Sequence, residues 1–336
     1  MEKGLFMSAR KIKELMERFR ATSILILCHH NADPDALCSA FAFSGLLRRL
    51  RSGLKIRIAS PEGISKLSKV LLQYIPIDVS LDRPRFEEFD LFVMLDTNTI
   101  QQLGDWGEYL KRASKPLIVV DHHASHPETE KLATLYIFDE ESSSTCEIVY
   151  GLLREFGFKP SKAEAEALFL GMAFDTKHFI LAKPSTFKVL AELVDMGVDP
   201  QKAITKLSMP MDQSERIARL KACQRVRLVR IGDWILTFTH VGAYQASAAR
   251  ALIELGAHFS FVAGQDGDQI QISLRSSRDF YEKTGLHLGE DLARPLGEYL
   301  HGMGGGHATS AGVNGFGEFE DAVEYSMKLI RDKLAR

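Results

Sequence analysis

The sequence is short of the features that announce a secreted or membrane-embedded protein. Only four cysteines occur among 336 residues, Cys28, Cys38, Cys146 and Cys223. They lie far apart with no CxxC pair, which excludes a disulfide framework and a cysteine-ligated zinc knuckle. Cys28 ends an apolar run and reads as a small buried thiol. No apolar run approaches the roughly 20 residues needed to span a bilayer. The opening MEKGLFMSARKIKELMERF reads as an amphipathic charged helix without the apolar centre of a signal peptide, so a cytoplasmic location is expected. Net charge is equally scarce: 42 Lys and Arg against 44 Asp and Glu leave −2. That gives no global electrostatic reason for binding long duplex DNA or an anionic membrane surface. Repeats and low-complexity segments are absent too.

What is present is an ordinary soluble composition, 45% hydrophobic and 26% charged, in a chain longer than one typical core. Two domains are expected, a catalytic one over residues 1–197 and a substrate-binding one over 223–336, joined by a linker at 198–222. In the first half, apolar β-forming runs at 23–28, 54–59, 89–95, 116–120 and 134–138 alternate with helical patterns at 8–20, 35–51, 63–74, 144–157 and 162–174. Ser161 and Glu164 have the spacing of a capping box. That alternation predicts an α/β fold with a mainly parallel sheet flanked by helices. The second half predicts a smaller α+β domain: a hairpin at 225–231 and 234–240, helices at 245–256, 289–301 and 318–335, and strands at 258–263 and 269–275.

The chemistry collects where three apolar runs stop. Residues 116–120 (PLIVV) end in Asp121-His122-His123. Residues 23–28 run into His29-His30-Asn31-Ala32-Asp33-Pro34-Asp35, and 91–95 into Asp96-Thr97-Asn98. In open α/β sheets, ligands gather outside the carboxyl ends of the strands. Imidazoles and carboxylates without sulfur suit a borderline-to-hard divalent ion such as Mn²⁺. Each stretch alone has a plainer reading: Asp33 as a helix N-cap, Asp96 as a turn residue. Asp175 closes an apolar helix, where a carboxylate opposes the negative end of the macrodipole and a nearby cation would offset the cost. Taken together, the acidic clusters point to metal. His30 is less persuasive than His29.

These stretches resemble, as a set, the motifs of the DHH phosphoesterase superfamily: His29-x3-Asp33-x-Asp35, Asp96-Thr97-Asn98, Asp121-His122-His123 and Asp175-Thr176. Ser273-Leu274-Arg275-Ser276 and Gly304-Gly305-Gly306-His307 resemble the DHH-associated C-terminal domain. The length and layout look most like the branch of nanoRNases and 3′-phosphoadenosine-5′-phosphate (pAp) phosphatases. The resemblance implies that His29 and Asp33 hold one ion, that Asp35, His122 and Asp175 hold a second, and that Asp96 bridges the two. It implies a catalytic His123 facing the scissile phosphate and a supporting role for Asp121. Arg275, Ser276 and the loop Gly304, Gly305, Gly306 and His307 would bind the substrate's phosphate. Ala32, Asn98 and Lys177 depart from the family's usual residues without removing a proposed ligand.

The implied activity is hydrolysis of short oligonucleotides, and of pAp to AMP, by two Mn²⁺ ions that activate a bridging water in an active site between the domains. Mg²⁺ and Co²⁺ are the expected substitutes. The alternatives on the same scaffold are a RecJ-like single-strand exonuclease and a cyclic-dinucleotide phosphodiesterase. A nucleotide sensor without turnover is a third reading, which six intact metal-binding side chains argue against. The expected partners are short single-stranded oligonucleotides or small nucleotides and no membrane, with a homodimer as one option. No clear aromatic platform for bases stands out. Phe179, Phe259 and Tyr281 are the candidates, each better suited to core packing.

Overall fold

Short runs of aliphatic residues lay down the first sheet. Its strands are β1 (Ser23–Leu27), β2 (Lys55–Ala59), β3 (Val79–Ser80), β4 (Leu91–Leu95), β5 (Leu117–Asp121) and β6 (Leu135–Phe138). All pair in parallel, in the order β3-β2-β1-β4-β5-β6. Every position of β1, β4 and β5 is buried, as strands covered on both faces must be. Alternate side chains serve two cores. Ile24, Ile26, Leu91, Val93, Ile118 and Val120 belong to one, and Leu25, Leu27, Phe92, Met94, Leu117 and Val119 to the other.

The computed structural model describes residues 2–208 and 211–335, and the chain divides into units of residues 1–209 and 210–336. The first unit's helices are α1 (Glu2–Arg18), α2 (Pro34–Leu50), α3 (Lys66–Leu71), α4 (Trp106–Arg112), α5 (Pro127–Leu132), α6 (Thr145–Glu155), α7 (Lys162–Asp175), α8 (Pro184–Asp195) and α9 (Pro200–Lys206). Helices α1, α2, α6 and α7 bury Ile12, Phe43, Ile148 and Leu168 on one face of the sheet. Trp106 and Leu110 of α4 cover the other. A bidentate pair ties α2 to α7: Arg49 donates to both oxygens of Glu164, at 2.9 and 2.5 Å. Glu164 also accepts the Ser161 N–H at 2.7 Å, completing the capping box read from the sequence. Gly45 makes the room, since a Cβ there would overlap the Glu164 carboxylate.

The second unit is a mixed sheet of β7 (Arg227–Ile231), β8 (Trp234–His240), β9 (Phe259–Asp266), β10 (Gln269–Ser276), β11 (Met303–Gly306) and β12 (Ser310–Phe316), in the order β11-β12-β10-β9-β8-β7. Only β8 and β9 run parallel. Its helices are α10 (Gln213–Gln224), α11 (Gln245–Glu254), α12 (Arg278–Thr284), α13 (Arg294–Tyr299) and α14 (Phe319–Leu334). One face packs Phe259, Phe261, Ile270, Ile272 and Leu274 with Leu292, Leu296 and Ile330. On the other, Ala248, Ala249 and Leu252 of α11 rest on Val262.

The expected fold class is the observed one, with local differences. The single helix expected at 289–301 is a π-helical turn, Leu288–Ala293, followed by α13. Pro295 has no N–H to continue a helical ladder and suits a helix start. Helices α5, α8 and α12, strand β12 and the two-residue β3 were not anticipated. The triple glycine, expected as a loop, is edge strand β11, paired with β12. Its glycines allow close packing: a Cβ on Gly304 would overlap the Ala293 carbonyl, and one on Gly306 would lie 2.5 Å from Ala311.

Candidate metal centre

The order of the first sheet reverses between β1 and β4, and the crevice outside the carboxyl ends at such a switch point is where α/β sheets bind ligands. Strands β1, β4 and β5 are adjacent there, so the loops after them bring His29, Asp33, Asp35, Asp96, Asp121, His122 and His123 to one edge. Asp175, the last residue of α7, joins them. Three groups have potential ligand atoms within 4.8 Å of one another: His29, Asp33 and Asp96; Asp35, His122 and Asp175; and Asp96, Asp121, His122 and His123.

Asp96 stands between the first two groups. Its Oδ2 is 3.9 Å from His29 Nε2 and its Oδ1 is 3.7 Å from His122 Nε2. The residue is buried and has a left-handed backbone, φ +53°, a region Asp enters more readily than most side chains. Asp33 does cap α2, but through one oxygen: Oδ1 accepts the N–H groups of Asp35 and Ala36 at 3.0 and 3.1 Å. The plain and the metal readings of Asp33 are therefore compatible. His29 Nδ1 lies 2.8 Å from the His30 carbonyl, which directs Nε2 toward the carboxylates, the usual way a metal-binding imidazole is oriented. His30 itself turns aside to the Gln102 carbonyl, 3.0 Å from Nδ1.

Electrostatics favour a cation here. Asp35 is fully buried, and burial followed by the charges of Asp96 and Asp175 pushes its carboxyl well above the usual range. Burial, then Asp33, Asp121 and Asp175, pushes Asp96 up to about 7. Among the described residues no Lys or Arg pairs with any of these carboxylates; the basic groups beside them are imidazoles. His122 Nε2 and Asp175 Oδ2 lie 2.9 Å apart, yet Nε2 has no hydrogen bond. Two ligand atoms that converge without bonding each other suit a shared ion, so the residues fit a divalent cation.

His123 is different. It is half-exposed, and Asp121 Oδ1 accepts from both its ring Nδ1 and its backbone N–H at 2.8 Å. That hydrogen bond, with the charges of Asp121, Asp96 and Asp175 against partial burial, raises the imidazole to about 9. Asp121 thus steers His123, while its Oδ2 is buried without a partner.

Three residues that sequence reasoning missed build the back wall. The first N–H groups of α6, from Thr145 and Cys146, donate to Asp35 Oδ2 and Oδ1 at 2.7 and 3.1 Å. The Thr145 hydroxyl donates to Asp96 Oδ1 at 2.9 Å. Gly171 of α7 leaves space for both, since a Cβ there would lie 2.3 Å from Cys146 Sγ and 2.8 Å from Asp35 Oδ1. The Ser144-x-x-Glu147 spacing marks this helix start, but nothing in it marks contact with a remote carboxylate. Beyond Asp175, Lys177, His178 and Phe179 all have positive φ, the left-handed region that glycine enters at least cost. Asn98 donates to the Ala124 carbonyl at 3.0 Å.

In the second unit, Arg275 is half-buried on β10 opposite Ser310 of β12. The exposed His307 donates its N–H to the Ser310 carbonyl at 2.7 Å. Burial and then the neighbouring Arg250 guanidinium hold Arg275 below its ordinary pKa. Among the described residues neither guanidinium has a carboxylate partner, whereas Arg219, Arg227 and Arg278 each have one within 3.7 Å. Arg250 is therefore an unforeseen second cation beside Arg275. Ser276 is not brought to them: its side chain is buried on the opposite face, with its hydroxyl unpartnered.

Comparison with known proteins agrees with this geometry. Residues 23–172 match the model of the DHH family, N-terminal domain. An uncharacterised protein of Methanocaldococcus jannaschii is 34% identical over 304 residues, covering 90% of this chain and 89% of that one. The cyclic-di-AMP phosphodiesterase GdpP of Geobacillus thermodenitrificans is 27% identical over 93% of this chain, which spans 48% of that longer protein. An exopolyphosphatase-related protein of Bacteroides fragilis shares the fold, with a TM-score of 0.62 at 22% identity over 97% of this chain and 96% of that one.

Proposed function

The chain belongs to the DHH family, and from that premise we propose that it is a divalent-metal-dependent phosphoesterase that hydrolyses short oligonucleotides and converts pAp to AMP. The observation that carries this reading is Asp96, whose two oxygens face two separate His/Asp groups. His29, Asp33 and Asp96 would hold one ion, and Asp35, His122, Asp175 and Asp96 the other. Nitrogen and oxygen donors without sulfur favour Mn²⁺, with Mg²⁺ or Co²⁺ as substitutes. Bound there, two such ions would acidify an attacking water and stabilise charge on the attacking and leaving oxygens.

The protein's own groups do the rest. Asp121 fixes the His123 ring, so its other nitrogen can hold a proton for the leaving oxygen or offset charge on the phosphoryl group. Thr145 and the start of α6 keep Asp96 and Asp35 in place. Arg275, with Arg250 and His307, would grip a substrate phosphate, and Gly304–Gly306 would leave backbone accessible to it. We assign no substrate contact to the Ser276 side chain.

The test is hydrolysis with added Mn²⁺, offering pAp, a two-nucleotide RNA, a 24-mer and a cyclic dinucleotide in parallel. Mononucleotide release from the dinucleotide, with the 24-mer nearly untouched, is the expected result. Shortening of the 24-mer would favour the RecJ-like alternative. Preference for the cyclic substrate would favour the phosphodiesterase reading, which the Geobacillus relative supports. Turnover that survives Asp96→Ala would sink the two-ion reading in any of these forms.

A further inference from the structure

The second unit has a cavity of about 510 Å³ that the phosphate-gripping residues do not explain. It lies at the end of the sheet away from Arg275. Its floor is a row of cross-strand neighbours: Gly264 on β9, Gln271 on β10, Asn314 on β12 and Met303 on β11. The next row outward holds Asp266, Gln269 and Phe316. Gln245 of α11 closes one side, and its carboxamide lies directly over Gly264, where any Cβ would displace it.

The chemistry of this lining is specific. No Lys or Arg contributes to it, and its one ionisable side chain is the carboxylate of Asp266. A phosphate is therefore a poor occupant. Among the described residues the carboxamides of Gln269, Gln271 and Asn314 make no hydrogen bond to the protein, whereas that of Gln265 reaches Glu318 at 3.1 Å. Carboxamides offer a donor and an acceptor side by side, the pattern that pairs with the N6 and N7 edge of adenine. Met303 and Phe316 are 81% and 52% exposed beside them. Large apolar side chains left in water next to free amides suit a flat, partly apolar ring that also presents hydrogen-bonding edges. The volume lies within the range of small-ligand sites.

Position adds a second argument. Gln271 and Arg275 are four residues apart on β10, so they project from the same face at about 13 Å along the strand. Gly312 and Gly305, paired across β12 and β11, are exposed between the two ends. A cationic end and an uncharged amide end on one face match the two halves of a nucleotide.

We propose, resting on the nucleotide reading above, that this cavity is a nucleobase pocket with a preference for adenine. Gln271 and Asn314 read the base edge, Met303 and Phe316 pack on its face, and Asp266 accepts from a sugar hydroxyl or the exocyclic amine. Of the candidate aromatics, which the sequence suits better to core packing, Phe259 is fully buried and Phe179 packs on Phe169; neither lines this cavity.

The test is calorimetric titration of the full chain, stripped of metal with a chelator, with adenosine, uridine and ribose 5-phosphate. Saturable adenosine binding, at least tenfold tighter than the other two, is expected. Asn314→Ala and Gln271→Ala should each weaken it by about fivefold to tenfold, with unchanged circular dichroism showing that they fold. Asp96→Ala should bind adenosine like the unmodified chain, so a failed hydrolysis assay and a failed pocket are separate results. No adenosine binding up to ~10 mM would overturn the proposal. So would equal binding of ribose 5-phosphate that disappears in Arg275→Ala but persists in Asn314→Ala.

Discussion

Thr145→Val isolates one atom of the candidate centre. Valine keeps the shape and β-branching of threonine and leaves the backbone N–H that Asp35 accepts, so only the hydroxyl donating to Asp96 Oδ1 at 2.9 Å is lost. In the metal-free protein burial pushes the Asp96 carboxyl up to about 7, toward its neutral form, so the lost bond should cost about 1 kcal/mol of stability. With metal the carboxylate must be fully ionised, and groups that orient a ligand are worth about 10–100-fold in metal affinity. Tenfold is about 1.4 kcal/mol and a hundredfold about 2.7 kcal/mol, so the metal-dependent loss should exceed the metal-free loss. The assay is thermal unfolding across a Mn²⁺ titration, where stabilisation follows the ratio of ion concentration to dissociation constant. Thr145→Val should shift the titration midpoint up by at least tenfold, and Thr145→Ser, which keeps a hydroxyl, should restore most of it. An unchanged midpoint in Thr145→Val would refute the claim that this hydroxyl positions Asp96.

Four further outcomes follow from the geometry. Glu164→Ala leaves Arg49 without its bidentate partner and Ser161 without its reciprocal cap, so chemical unfolding should show a loss of about 3 kcal/mol with the Mn²⁺ midpoint unmoved. Asp90 is held down at about 2, first by the Thr22 N–H and then by the Thr22 and Ser23 hydroxyls. Its stabilisation is therefore complete above its unfolded pKa near ~3.9 and is lost as pH falls through about 2. The full shift would be worth roughly 2.6 kcal/mol, which screening at this lightly buried site reduces to about 1 kcal/mol, and Asp90→Asn should flatten that part of the acid-unfolding curve. Asp121→Asn removes the main support for the His123 imidazolium, so the alkaline limb of the activity profile should move to lower pH; an unmoved limb would remove His123 as the titrating acid. Arg250→Ala should raise KM for a phosphate-terminated dinucleotide by about tenfold and leave kcat nearly unchanged.

Much of the centre was legible because the physics that buries a parallel strand also writes it as an unbroken apolar run. The end of such a run in β1, β4 and β5 is where His29, Asp96 and Asp121 stand. Asp175 was legible for the opposite reason, as a charge at the wrong end of a helix. The backing of the site was not, because its main donors are the backbone N–H groups of Thr145 and Cys146, which every residue carries. Gly171 was invisible for a related reason: a glycine inside a helix reads as a weakness until the atoms beside it are known. β11 escaped because Gly304–Gly306 has no side chains to pattern; its pairing with β12 makes it a strand. Helix α8 did carry a signal, Pro184 at its first turn with Val189, Leu190 and Leu193 facing inward.

The divided use of Asp33 ties the reaction's history to the fold's. One oxygen holds the first turn of α2, and that turn carries Asp35 into the centre. A descendant that abandoned the chemistry would be free to lose His29 or Asp175, but not to place an arbitrary residue at 33. Selection for a folded α2 alone would confine it to Asp, Asn, Ser or Thr. An inactive descendant would therefore keep the outline of the motif, with its first carboxylate replaced by another cap, long after the metal had gone.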